Sequence, residues 1–66
     1  MNAYRVWEVA KYKAQVIESR SMYDAVKIFA GTPIVYCHGG SIGAGPGVFM
    51  SSDGSAREFH AIQVRS

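Results

Sequence analysis

The sequence predicts an α+β fold: a mostly antiparallel sheet of four to five strands with one helix packed on one of its faces. Three observations carry this reading. Runs rich in aromatic and β-branched residues open the chain, the apolar period lengthens to that of a helix after Ser21, and short apolar runs broken by glycine-rich and Asp-Gly segments close it. The expected order is β-β-α-β-β-β within a single domain, residues 1–66, interrupted by a glycine-rich loop over 39–47. Such an order covers one sheet face with the helix and leaves the other to solvent or a partner.

Ala3 to Val9, with Tyr4, Val6, Trp7 and Val9, reads as a strand, and Tyr12 to Ser19 reads the same way. Ala10 and Lys11 leave room between them for a tight reversal, which predicts an antiparallel hairpin although neither is a favoured turn residue. Val16 and Ile17 are both apolar, so two choices of inward face stay open, a bulge being able to exchange them. Ser21 is a good N-cap, and Asp24 three residues on makes an acidic variant of the capping box. Met22, Ala25, Val26 and Phe29 then form one apolar stripe, with Tyr23 and Lys27 on the other side. Gly31 supplies a left-handed stop ahead of Pro33, ending a helix of about ten residues. Ile34 to Cys37 is the third expected strand. Val48 to Ser51 and Arg57 to Val64 are the last two, joined across Ser52-Asp53-Gly54-Ser55, where Asp-Gly favours a type I′ turn.

A chain of 66 residues is near the lower limit for one self-sufficient core, burying only about 60% of its unfolded surface. The usual supports at this size are disulfides, a metal or oligomerisation. Cys37 is the only cysteine, and Cys37, His38 and His60 are the only soft ligands, the first two being strand neighbours that point apart. No metal site is therefore expected, and a homodimer stays open. One free thiol and no leader-like apolar run lead to the expectation of a reducing cytoplasm. No apolar run approaches the roughly 20 residues of a membrane-spanning helix, so no membrane partner is expected. The formal charge is +2, from seven basic and five acidic residues scattered along the chain, too dispersed to mark a nucleic-acid binder.

The motifs point away from catalysis. Gly43-Ala44-Gly45-Pro46-Gly47 has the density of a phosphate-binding loop, but no Lys-Ser/Thr follows and a strand, not a helix, comes next. The glycines read instead as suppliers of positive φ in a connection whose apolar Ile42 is a contact candidate. Cys37 reads as a small core residue, since no acid stands near it in sequence to orient His38 as a base. His38-Gly39-Gly40 lacks the nucleophile elbow that would make it an oxyanion segment. His60 falls on the strand face opposite to Phe59 and Ala61 and reads as exposed or cross-strand paired. Glu8, Glu18, Asp24, Asp53 and Glu58 read as cap, turn or strand-surface charges. No catalytic residue is assigned.

Two kinds of binding remain. Tyr4, Trp7, Tyr12, Tyr36, Phe49 and Phe59 fall on predicted strands, where exposed rings would stack bases, provided that Arg5, Lys11, Lys13, Arg57 and Arg65 converge on one face. The alternative is a protein interface anchored by exposed aromatic and arginine side chains on a rigid open sheet.

Tyr4 to Val9, then Gln15 to Ala30, then Phe49 to Phe59 form a strand, a strand running into a Ser-capped helix, and a late Asp-Gly hairpin. This succession resembles small phage proteins, among them anti-CRISPR proteins that inhibit type I surveillance complexes; the Gly39 to Gly47 stretch departs from their pattern. The resemblance implies a phage-encoded steric inhibitor without a cofactor, whose partner is a bacterial protein or ribonucleoprotein complex in the host cytoplasm. Lys11, Lys13, Tyr23, Lys27 and Arg57 are the expected contact residues, each being placed outside the core. Direct nucleic-acid binding is the alternative function.

Overall fold

The fold was taken from a computed structural model, which describes residues 1–41 and 43–64. Ile42 and Arg65, singled out above as a loop contact and as one of the converging cations, lie outside the described residues. The elements are β1 (Asn2–Glu8), β2 (Ala14–Ser19), α1 (Met22–Ala30), β3 (Ile34–His38), β4 (Gly47–Ser51) and β5 (Glu58–Val64). The five strands form one antiparallel sheet in the order β2-β1-β5-β4-β3, and α1 packs across it from β2 to β3.

The helix forms where its signals place it. Ser21 is extended, and its Oγ accepts from the Asp24 amide at 3.1 Å, while Gly31 stops the helix in the left-handed region at φ 66° and donates its amide to the Lys27 carbonyl. Ala25 and Val26 are buried, with Met22 and Phe29 packed at the border of the core. Against this stripe β1 turns Tyr4 and Val6, β4 turns Phe49, and β5 turns Phe59 and Ala61, all buried. The rings meet edge to face, Phe29 on Phe59 at 6.2 Å and Tyr23 on Phe49 at 6.3 Å, the arrangement that aromatic quadrupoles favour.

Several expectations are corrected. The β1–β2 connection runs over Val9–Lys13 rather than a two-residue reversal, so Tyr12 is wholly exposed in a loop and not on a strand. The Lys11 amide bonds the Glu8 carbonyl at 3.0 Å, and Ala10 takes a positive φ of 75°, a cost that no glycine is there to remove. β2 has no bulge: Ile17 faces the helix and Val16 faces away, in unbroken register with β1. The bulge sits in β3, between Tyr36 and His38, and leaves Cys37 exposed on an edge strand instead of in the core.

The β4–β5 turn is not type I′, which needs positive φ at both central residues. Gly54 and Ala56 have positive φ, but Asp53 does not. Asp53 instead accepts bonds from the Ser55 amide and hydroxyl and from the Thr32 hydroxyl at 2.8 Å, tying this turn to the segment after the helix. Those bonds, the Ser55 hydroxyl foremost, hold its carboxyl far below the usual range.

Candidate binding face

Because side chains alternate along each strand, the residues between the core positions project together from the uncovered side of the sheet. The register fixes their order. His38, Val48, His60, Trp7 and Ala14 oppose one another in turn across all five strands. Val35, Met50 and Glu58 form the row on one side of it, and Ile62, Arg5 and Val16 the row on the other. Val64, Ala3 and Glu18 complete the face. It is mostly apolar yet uncovered: Val16, Val35 and Ile62 keep 52%, 48% and 44% of their surface accessible.

The polar groups on this face are few and orderly. His60 Nε2 lies 2.6 Å from Glu58 Oε2, and since an ionised carboxylate only accepts, the ring nitrogen donates. The Trp7 ring meets His60 edge to face at 5.7 Å, which fixes both rings near the centre of the sheet. Arg5 and Glu18 sit in neighbouring rows on adjacent strands, and neither makes an ion pair among the described residues.

None of the five expected contact residues lies on this face, and the structure brings together only Lys11 and Arg57, at the Glu8 carboxylate, and Tyr23 and Lys27, on one helix. Lys11 and Lys13 are exposed in the β1–β2 loop, Lys11 Nζ standing 3.8 Å from Glu8 Oε1. Tyr23 and Lys27 lie on α1. The Tyr23 hydroxyl donates to the Ile34 carbonyl at 3.1 Å, and Lys27 borders a shallow hollow of about 620 Å³ that also takes in Ile28 and Met1. Arg57 is half-buried and committed. Its Nε and Nη2 donate to the two Glu8 carboxylate oxygens at 3.2 and 2.9 Å, its Nη1 reaches the Ala30 carbonyl at 3.4 Å, and its guanidinium lies 5.0 Å over the Phe59 ring.

Glu8 is thereby corrected from a strand-surface charge to a buried carboxylate on the helix side. Arg57 draws its pKa below the usual range, and Glu8 raises that of Arg57 in turn, the two shifts agreeing in direction. A bidentate pair at the rim of the core satisfies both charges where an unpaired one would be costly.

The glycine loop is shaped by close contacts. The Tyr36 hydroxyl donates to the Gly39 carbonyl at 2.6 Å and the Gly40 amide to the Gly45 carbonyl at 3.0 Å. A Cβ on Gly39, whose φ is 79°, would collide with the Pro46 carbonyl oxygen. Between this loop, Met22 and the end of β5 is a half-open hollow of about 420 Å³, and no charged side chain among the described residues lines it. Nothing there resembles the lysine of a phosphate-binding loop. Among the described residues no three histidine, cysteine or acidic side chains gather as a metal set. No helix in the described residues is long and apolar enough to cross a membrane.

Trp7 was named from sequence only among the candidate stacking rings, and Val35, Val48, Met50 and Ile62 were not singled out as contact residues. Their signal was present in strands that carry apolar residues at both parities, the pattern of a sheet wanted on both faces. The fold and this face define a small α+β domain with a sheet covered on one side only. The chain matches no family model, no curated protein and no solved structure.

Proposed function

We propose that this chain is a non-catalytic binding protein that works by associating through the open face of its sheet. One observation carries the reading: a contiguous apolar face, centred on Trp7 and bearing three aliphatic side chains about half accessible, lies opposite a completed core. Patches of this kind mark interaction sites in small domains. Three of the groups with chemical potential have structural occupations, Glu8 with Arg57, Asp53 within its turn and His60 with Glu58.

The target class follows from the resemblance to phage anti-CRISPR proteins: a bacterial protein or ribonucleoprotein assembly of the type I defence systems, blocked by steric occlusion in the host cytoplasm. An exposed thiol such as Cys37 stays reduced in that compartment. Lys11, Lys13, Tyr23, Lys27 and Arg57, the contacts that the resemblance implies, lie off the open face, so a target seated there does not need them, and Arg57 is already engaged by Glu8. Nucleic-acid binding is the weaker reading, because among the described residues Arg5 is the only arginine or lysine on the open face and Glu18 and Glu58 stand with it.

The test is affinity capture of the tagged chain from bacterial lysate, with and without nuclease, washed at low and high salt, alongside Ile62→Glu. A defined protein assembly that survives nuclease and salt and is lost with Ile62→Glu supports the reading. Recovery of nucleic acid alone, released by salt, overturns it.

A further inference from the structure

We propose that a second copy of this chain closes the open face, giving a two-sheet sandwich with the two helices outermost. The inference rests on the reading of that face as a binding surface and names its first occupant.

The first argument is the size of the core. Among the described residues, all nine buried apolar ones lie between the helix and one face of the sheet or in the strands beneath it, and only Phe49, Phe59, Val6 and Val26 are large and fully enclosed. A chain this short that has no disulfide and, among its described residues, no metal set gains most from association, which would convert the other half of its strand side chains into core.

The second argument is area. Strands about 4.8 Å apart make a five-stranded face about 24 Å across and, over six residues, about 20 Å long, or roughly 480 Å² in plan. Side-chain relief brings the accessible surface toward the lower end of the roughly 600–1,000 Å² that each partner contributes to a specific interface. Two twisted sheets pack face to face with their strands about 30° apart, so the face needs no reshaping to meet its own copy.

The third argument is charge. A surface that binds itself must carry both signs, since a two-fold axis brings like patches together. This face does, with Arg5 and Glu18 unpaired among the described residues and His60 joined to Glu58. An axis running across the strands, between the row of Trp7 and the row of Arg5, reverses the rows in the second copy. Each Arg5 guanidinium then lies over the other copy's Trp7 ring, and Ile62 of each faces His60 of the other, so the one permanently cationic side chain among the face's described residues gains an aromatic face twice over. A polyanionic partner would instead meet Glu18 and Glu58.

Trp7 is the only tryptophan, so the test needs no substitution at the interface. The intact chain is diluted from submillimolar to submicromolar concentration while sedimentation equilibrium reports mass and acrylamide quenching reports the accessibility of Trp7. The expected result is twice the chain mass at the upper end, falling to the chain mass on dilution, with quenching rising several-fold in step. Ile62→Glu and Val16→Lys, two separate variants at weakly buried positions, are expected to be folded monomers by circular dichroism, and Lys27→Glu on the helix is expected to stay dimeric. A chain of monomer mass throughout overturns the proposal, as does a dimer whose Trp7 is as accessible as in the monomer. Capture from lysate by a monomeric wild type would sink the dimer and leave the binding-protein reading standing; a dimer that captures nothing would do the reverse.

Discussion

The two faces of the sheet are built from the same strands and nearly the same kinds of residue, yet one is finished and the other is not. On the helix side Phe59, Ala61, Val6 and Phe49 are buried, the one carboxylate that enters is clasped by Arg57, and the rings meet edge to face. On the far side Ile62, Val16 and Val35 stay about half accessible beside a histidine, a tryptophan and opposed charges. Apolar residues alone therefore do not make a core. A core forms where a second layer excludes water, and here the chain supplies only one such layer.

That contrast is broken or sharpened by substitution in decreasing order of effect. Phe59→Ala is expected to cost about 3–5 kcal/mol of unfolding free energy in a denaturant titration, because the deleted ring leaves a cavity under the helix. A loss below about 1 kcal/mol would mean that the helix-side core is not packed as described.

Glu8→Gln comes next, since it leaves the half-buried Arg57 without its counter-charge. The folded-state pKa of Glu8 is depressed, so its contribution is present above the unfolded value of about 4.3 and is lost as pH falls through the folded value. Asp53, also depressed, adds a second contribution that is present above about 3.9 and lost in the same sense. The wild type is expected to lose stability on acidification below about pH 4, and Glu8→Gln and Asp53→Asn each to flatten that loss. An unchanged acid limb in both variants would remove these groups from the account.

Ser21→Ala removes the cap that satisfies the Asp24 amide and is expected to cost about 1 kcal/mol, read as a lowered midpoint with the same denaturant slope. Ile62→Ala is the smallest. In dilute solution it is expected to shift stability by no more than about 0.5 kcal/mol, as an exposed position does, while weakening capture of a partner. If it instead destabilises like Phe59→Ala, the far face is a core position and the contrast between the faces fails.

Short-range signals were legible because they depend on neighbours in sequence. Ser21, Asp24 and Gly31 marked the helix, and the 3.6-residue stripe told which side of it is buried. His60 was placed opposite Phe59 and Ala61 by strand alternation alone. Contacts between distant segments were not legible. Glu8 was read as a surface charge because its partner Arg57 lies far along the chain, just before the last strand, and Cys37 was read as core because a bulge in β3 depends on how β3 meets β4. The same gap hid the candidate face, since Trp7, Val48 and His60 become neighbours only when β1, β5 and β4 pair side by side.

By itself the sequence determined the kinds and order of the elements, the helix ends, and the alternation that sorts each strand's residues into two sets. Capping, turn preference and side-chain period act within a few residues, so they can be read locally. Tertiary structure alone decided which set of each strand goes under the helix, that β5 lies at the centre of the sheet between β1 and β4, and that a guanidinium closes over a buried carboxylate. Those outcomes turn on register between residues up to the length of the chain apart and on the single helix having only one face of the sheet to cover.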